Sequence, residues 1–222
     1  MIRTEKLKRQ AFPARGQNRA FGTGYAALAR EGVGAMTHEG VHAGIICGLQ
    51  GPGDLECEFG TAPKSAQWPT VMQHARDFYR ASLQTSGSDA AELNGKAYSE
   101  LVPQILQRAG KNAPLSQKLA AVRDVLRARV SYVNDPIGKD SVRQIGALVA
   151  RGHGDCVSLT IAMSALANKA YGLGSTWILG GDAGDEAKHI WPVIGGICAD
   201  AADPMPPLGQ AHPMPKTRSV GP

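Results

Sequence analysis

The sequence predicts an α+β fold, and three observations predict it. Apolar residues recur at helical spacing between Thr70 and Tyr171. After Ser175 the period shortens to that of a strand. Gly195-Gly196 then joins two apolar runs, which is the signature of a two-residue antiparallel hairpin. Helices first and antiparallel strands after them are the order of an α+β domain.

Taken in order, residues 1–65 hold eleven glycines and little periodicity, and read as a basic, glycine-rich arm with irregular segments. A short helix is expected near Tyr25–Arg30 and a strand within the apolar run Val41–Leu49. Residues 66–114 form a helical segment, with helices at Thr70–Leu83 and at Tyr98–Arg108, where Pro103 predicts a kink. Leu115–Val130 is the cleanest helix, with Ser116 as its cap and Leu119, Val122, Val125, Leu126 and Val130 on one face. A short helix follows at Ser141–Arg151, then a long apolar one at Cys156–Tyr171 that Gly172 ends. Strands are expected at Ser175–Leu179, His189–Ile194 and Ile197–Asp200. The domain so formed spans 115–209. Residues 210–222 are a proline-rich tail, and the six prolines between Pro204 and Pro222 predict neither helix nor central strand there.

Composition narrows the classes of function. Hydrophobic residues are 43% of the chain and charged residues 19%, enough for a packed core, while 5% aromatics argue against a stacking platform for bases or sugars. No apolar run approaches the roughly 20 residues of a membrane span, and the start, MIRTEKLKRQAF, lacks the apolar stretch of a secretion signal. Four cysteines in this length do not make a disulfide scaffold. A soluble protein, cytoplasmic or built into an assembly such as a virion, is expected. Residues 1–30 hold seven Lys and Arg against Glu5 alone, net +6, and the remaining 17 Lys and Arg meet 18 Asp and Glu, net −1. A neutral body with a cationic arm fits docking on neighbouring protein subunits or nucleic acid, or equally a solvated tail.

The strongest local feature is GHGDC, Gly152 to Cys156, running directly into the apolar helix. A cysteine in the first turn of a helix feels the positive end of its dipole, which lowers a thiol pKa and favours the thiolate. Helix-start N–H groups could hold an oxyanion beside the sulfur, with Gly154 and Asp155 lining the approach. A lone cysteine there is more often packing than nucleophile, so a base is required. His189 opens the strand HIWPV and Asp200 ends its partner ICAD, so a hairpin would bring imidazole and carboxylate to one end. Trp191 shares the face of His189, as cleft wall or as core aromatic.

Here the chain resembles the transglutaminase-like superfamily, with its papain-like Cys-His-Asp proteases, and bacterial and phage members in particular. The resemblance runs from Leu115 to Gly209, through RVSYVNDPIG, GDC, HIW and a carboxylate ahead of Pro207–Gly209. It implies a nucleophile helix packed on a small antiparallel sheet, with Cys156 as nucleophile, His189 as general base and acid, and Asp200 as orienter, in preference to Asp203. It departs from the family pattern at Val157 and Ser158, where acidic residues often follow GDC, and at Ile197–Ala199, where a tryptophan is usual.

Other constellations are weaker. His38, His42, Cys47 and Cys57 fit no structural zinc spacing and read as scattered loop residues. No metal or cofactor is expected, since neither a calcium-loop nor a dinucleotide pattern is present. His153 reads as a loop hydrogen-bonding residue. Two classes of function stay open: a thiol enzyme, carried by a component of a phage particle, acting on a protein or peptide substrate by acyl transfer (hydrolysis of an amide or isopeptide bond, or cross-linking), and a catalytically silent assembly protein of a virion head, connector or tail that uses the fold as a scaffold, with its arms docked on neighbours.

Overall fold

The computed structural model describes residues 45–60, 64–181, 187–202, 207–210 and 212–222, so the helix expected near Tyr25–Arg30 and the start of the Val41–Leu49 run lie outside the described residues. Strands β1 (Ile46–Gly51) and β2 (Asp54–Glu58) pair as an antiparallel hairpin. Three helices follow, α1 (Lys64–Ser82), α2 (Asp89–Arg108) and α3 (Leu115–Arg127). Then come β3 (Ser131–Tyr132), β4 (Lys139–Arg143), α4 (Ile145–Arg151) and β5 (His153–Gly154). Helix α5 (Cys156–Tyr171) leads into β6 (Thr176–Gly181), β7 (Ala187–Ile194), β8 (Ile197–Cys198) and β9 (Lys216–Ser219).

Helix α5 sits at the centre. Its sequence, CVSLTIAMSALANKAY, is apolar or small on nearly every side and is buried on nearly every side, as an all-round apolar helix must be. One cluster packs α2, α3 and α4 against Leu159, Ala162, Met163 and Leu166 of α5. The other packs α1 and strands β2, β4, β6 and β7 against Cys156, Val157 and Ile161. The helix is thus the wall between the two halves of the core. Trp177 is the largest fully buried side chain, and its Nε1 donates to Ser164 Oγ of α5 at 2.9 Å. Gly172 closes α5 with a φ of 70°, a conformation favoured by glycine.

The strands form a sheet in the order β1-β2-β4, a parallel pair β3-β5, and a four-stranded sheet β8-β7-β6-β9. The Gly195-Gly196 turn joins β7 to β8 with both glycines at positive φ, 57° and 81°, as this tight turn requires. Pro192 lies inside β7, yet its carbonyl accepts from Ala199 N at 2.9 Å, so its ring nitrogen faces the side where β8 has already ended.

Several expectations change. The stretch to residue 65 is not all arm: β1 and β2 join β4, and Cys47 and Cys57, read as loop residues, face each other across the hairpin and form a disulfide. Helix α2 begins at Asp89 under a Ser88 cap and runs through Pro103. Helix α3 starts at Leu115, and Ser116 is inside it rather than its cap. Ser141–Arg143 belongs to β4, leaving α4 to begin at Ile145. The proline-rich tail does not stay off the domain. Its prolines up to Pro215 precede Lys216–Ser219, which pairs with β6 as an edge strand, and Val220 N donates to Trp177 O at 2.9 Å. KTRSV contains no proline and two β-branched residues, which suits an edge.

Candidate active site

Cys156 is the first residue of α5, and Asp155 is the residue before it. The Asp155 carboxylate accepts from Ser158 N at 3.0 Å and caps the helix. Gly154 is buried beneath it, where a Cβ would stand 2.4 Å from Leu148 Cδ1 and would have to push that side chain aside. Asp155, expected to line a cleft with Gly154, thus also anchors the start of α5. His153, expected in a loop, opens the short strand β5, and its Nδ1 contacts Arg151 O at 3.1 Å. One turn into the helix, Thr160 Oγ1 donates to Ile190 O of β7 at 3.1 Å. The Ile190 N–H lies close enough to the Cys156 sulfur to lower its thiol pKa, so both backbone groups of one β7 residue face the helix start. The shortness of β8 permits this, because a longer partner would cover that edge of β7.

His189 and Asp200 come together as the hairpin reading required. His189 Nε2 and Asp200 Oδ2 are 2.6 Å apart, with residue exposures of 8% and 3%. Continuing the register past Val193↔Cys198 sets Asp200 opposite Trp191, on the same face of the sheet as His189. The other carboxylate oxygen accepts from Ala202 N at 2.8 Å, which fixes its orientation. Asp203 lies outside the described residues. Trp191 is buried at 3% exposure and stacks on both His189 and His212, so it is a packing platform for the two imidazoles.

The electrostatics reverse one expectation. Burial pushes the Cys156 thiol well above its ordinary value, and the charges of Asp155 and Asp140 push in the same direction. The Ile190 N–H opposes them without prevailing. The helix dipole was expected to lower this pKa, but the cap that completes the helix start is itself a carboxylate. Cys156 rests as a neutral thiol. Among the described residues, no hydrogen bond joins its sulfur to the His189 ring.

Four residues near the site were missed in the sequence. Tyr132, Asp135 and Asp140 belong to the RVSYVNDPIG region and its strand, and Tyr132 lies close enough for Cys156, Asp155 and Asp200 to raise its hydroxyl pKa, after burial. Asp135, Asp140 and Asp155 bring their carboxylates within 4.8 Å of one another. Burial and the Asp155 charge push Asp135 up to about 6. The fourth is His212, carried back by the Pro207–Gly209 turn, where Gly209 N donates to Cys198 O at 3.1 Å. The RVSYVNDPIG stretch could have signalled the first group; nothing local marks a histidine between prolines.

No family profile and no curated protein matches the chain. Two solved structures do. One is described as a candidate cysteine protease from Cytophaga hutchinsonii, 18% identical, with a TM-score of 0.36 over 54% of this chain and 42% of that one. The other is described as a candidate protease from Parabacteroides distasonis, 14% identical, with a TM-score of 0.35 over 55% of this chain and 25% of that one. The chain thus spans less than half the length of either. Among the described residues no helix is long and apolar enough to cross a membrane.

Proposed function

We propose that the protein is a thiol acyl transferase of the transglutaminase-like type, with Cys156 as nucleophile, His189 as base and acid, and Asp200 as orienter. The observation that carries this reading is the buried 2.6 Å contact of His189 Nε2 with Asp200, on the strand whose next residue, Ile190, lies close enough to the Cys156 sulfur to influence its pKa. With Nε2 on the carboxylate, Nδ1 is the nitrogen left to move a proton. On attack Nδ1 takes the thiol proton while sulfur bonds to an amide carbonyl carbon. The C–N bond then breaks, and the imidazolium returns the proton to the leaving amine. Water or a second amine attacks the thioester, gives its proton to His189, and Cys156 leaves as thiol. The Cys156 N–H is the helix-start donor that the cap does not use, and would face the oxyanion. Because the resting thiol is neutral, this is base-assisted attack rather than a preformed thiolate.

The test is acylation by p-nitrophenyl acetate, followed by peptide mass spectrometry. One acetyl group should appear on Cys156, vanish in Cys156→Ser, and form about 100-fold or more slowly in His189→Ala. Acetylation indifferent to His189 would overturn the reading. A second reading, a silent assembly protein, is favoured by the neutral buried thiol and by the missing sulfur–imidazole hydrogen bond. Absence of any Cys156 acylation would select it. Docking of the basic arm on neighbouring subunits or nucleic acid, and a phage particle as the setting, belong to this proposal and rest on the charge map of the sequence.

A further inference from the structure

His212 is the imidazole that the proposed chemistry leaves unused. Its side chain is 11% exposed, its ring lies on Trp191 with centroids 4.6 Å apart, and its Nε2 points to the same Asp200 oxygen that holds His189. The separation is 3.6 Å, too long for a hydrogen bond. Its Nδ1 is buried with no hydrogen-bond partner among the described residues. Neither nitrogen is therefore hydrogen-bonded to a described neighbour, and the buried Nδ1 is left without the partner that buried polar groups ordinarily have. One nitrogen from each histidine and one oxygen of Asp200 lie within 4.8 Å of one another. Ligands of one tetrahedral ion with bonds of about 2.0–2.2 Å stand roughly 3.3–3.5 Å apart. His212 and Asp200 are already near that spacing, and the His189–Asp200 hydrogen bond reaches it by opening when its proton leaves.

We propose that His189, Asp200 and His212 form a binding site for a divalent transition ion of the zinc class, with two imidazoles and one carboxylate as ligands and solvent in the remaining position. Trp191 holds both rings by stacking, and Ala202 N anchors the carboxylate through its other oxygen. For His189 to ligate through Nε2, the proton on that nitrogen moves to Nδ1. The bound ion therefore occupies the orienter and puts a proton on the nitrogen that would receive one from Cys156. The site is a metal-dependent off-switch for the proposed thiol chemistry, and it uses two of the same residues.

The experiment separates the two ideas by measuring the ion on full-length Cys156→Ser protein, which has no nucleophile. The Cys47–Cys57 disulfide is kept intact in non-reducing buffer. Zinc titration by calorimetry should give one equivalent, and cobalt(II) should give a visible spectrum without a thiolate charge-transfer band. His212→Phe keeps a ring on Trp191 but removes the ligand, and should weaken binding by at least the 10–100-fold that losing even an outer partner costs. His212→Gln is the second variant should Phe fail to fold, with the same loss expected. No zinc binding, unchanged affinity in both variants, or a thiolate band would overturn the site. These outcomes do not depend on whether Cys156 is ever acylated.

Discussion

Asp135→Asn should stabilise the protein at neutral pH. Asp135 sits with Asp140 and Asp155, all three carboxylates within 4.8 Å, and its pKa is raised from 3.8 to about 6. An acid whose folded pKa lies above its unfolded one binds its proton more tightly when folded. Stability therefore falls as pH rises from about 4 to about 6, and the full penalty is present above that. A rise of roughly two pH units corresponds to about 3 kcal/mol. Solvent reaches the partly exposed carboxylate and screens it, so about 1–2 kcal/mol is the working expectation. The amide oxygen of asparagine can still accept from Ser141 N, as Asp135 Oδ2 does, so the loop keeps its anchor. Urea unfolding at pH 7.5 should show a higher midpoint for the variant at unchanged slope, and the gain should fade by about pH 4. A variant less stable at pH 7.5, or a gain equal at both pH values, would refute the electrostatic argument.

Three further outcomes follow from the same geometry. Alkylation of Cys156 by iodoacetamide, read by peptide mapping, should keep accelerating past pH 9, because burial, Asp155 and Asp140 raise the thiol pKa; a plateau below pH 8 would contradict this. Asn94→Leu should cost about 2–4 kcal/mol in chemical denaturation, since Asn94 bonds Gln144 Oε1 at 2.8 Å and Gly146 N at 2.9 Å in the buried junction of α2 with α4. Truncation after Pro215 should leave a folded domain but speed hydrogen exchange along Ile178–Gly181, which loses its β9 partner.

How much was legible follows from the range of the forces involved. Cys156–Tyr171 was readable because an apolar run ending at Gly172 is a local pattern, while the Asp155 cap emerged only from the structure. The β7–β8 hairpin was readable because Gly-Gly between two apolar runs is a recognised signal for that turn, and its alternation put His189 and Asp200 on one face. The nature of these residues and their order along the chain were thus matters of sequence. What surrounds them was not. Desolvation of the Cys156 thiol depends on how deeply α5 is buried, and of the carboxylates that raise its pKa only Asp155 is its neighbour in sequence, while Asp140 is brought in by β4 and Asp200 by the chain after β8. The pairing of Cys47 with Cys57 depends on the register of β1 against β2, which no local periodicity announces. His212 reaches Asp200 only because the 207–210 turn and β9 fold the tail back, and a proline-rich segment carries no periodicity from which to read that. Local chemistry chose the candidate nucleophile, base and orienter; long-range packing decided their protonation, their neighbours and the imidazole beside them.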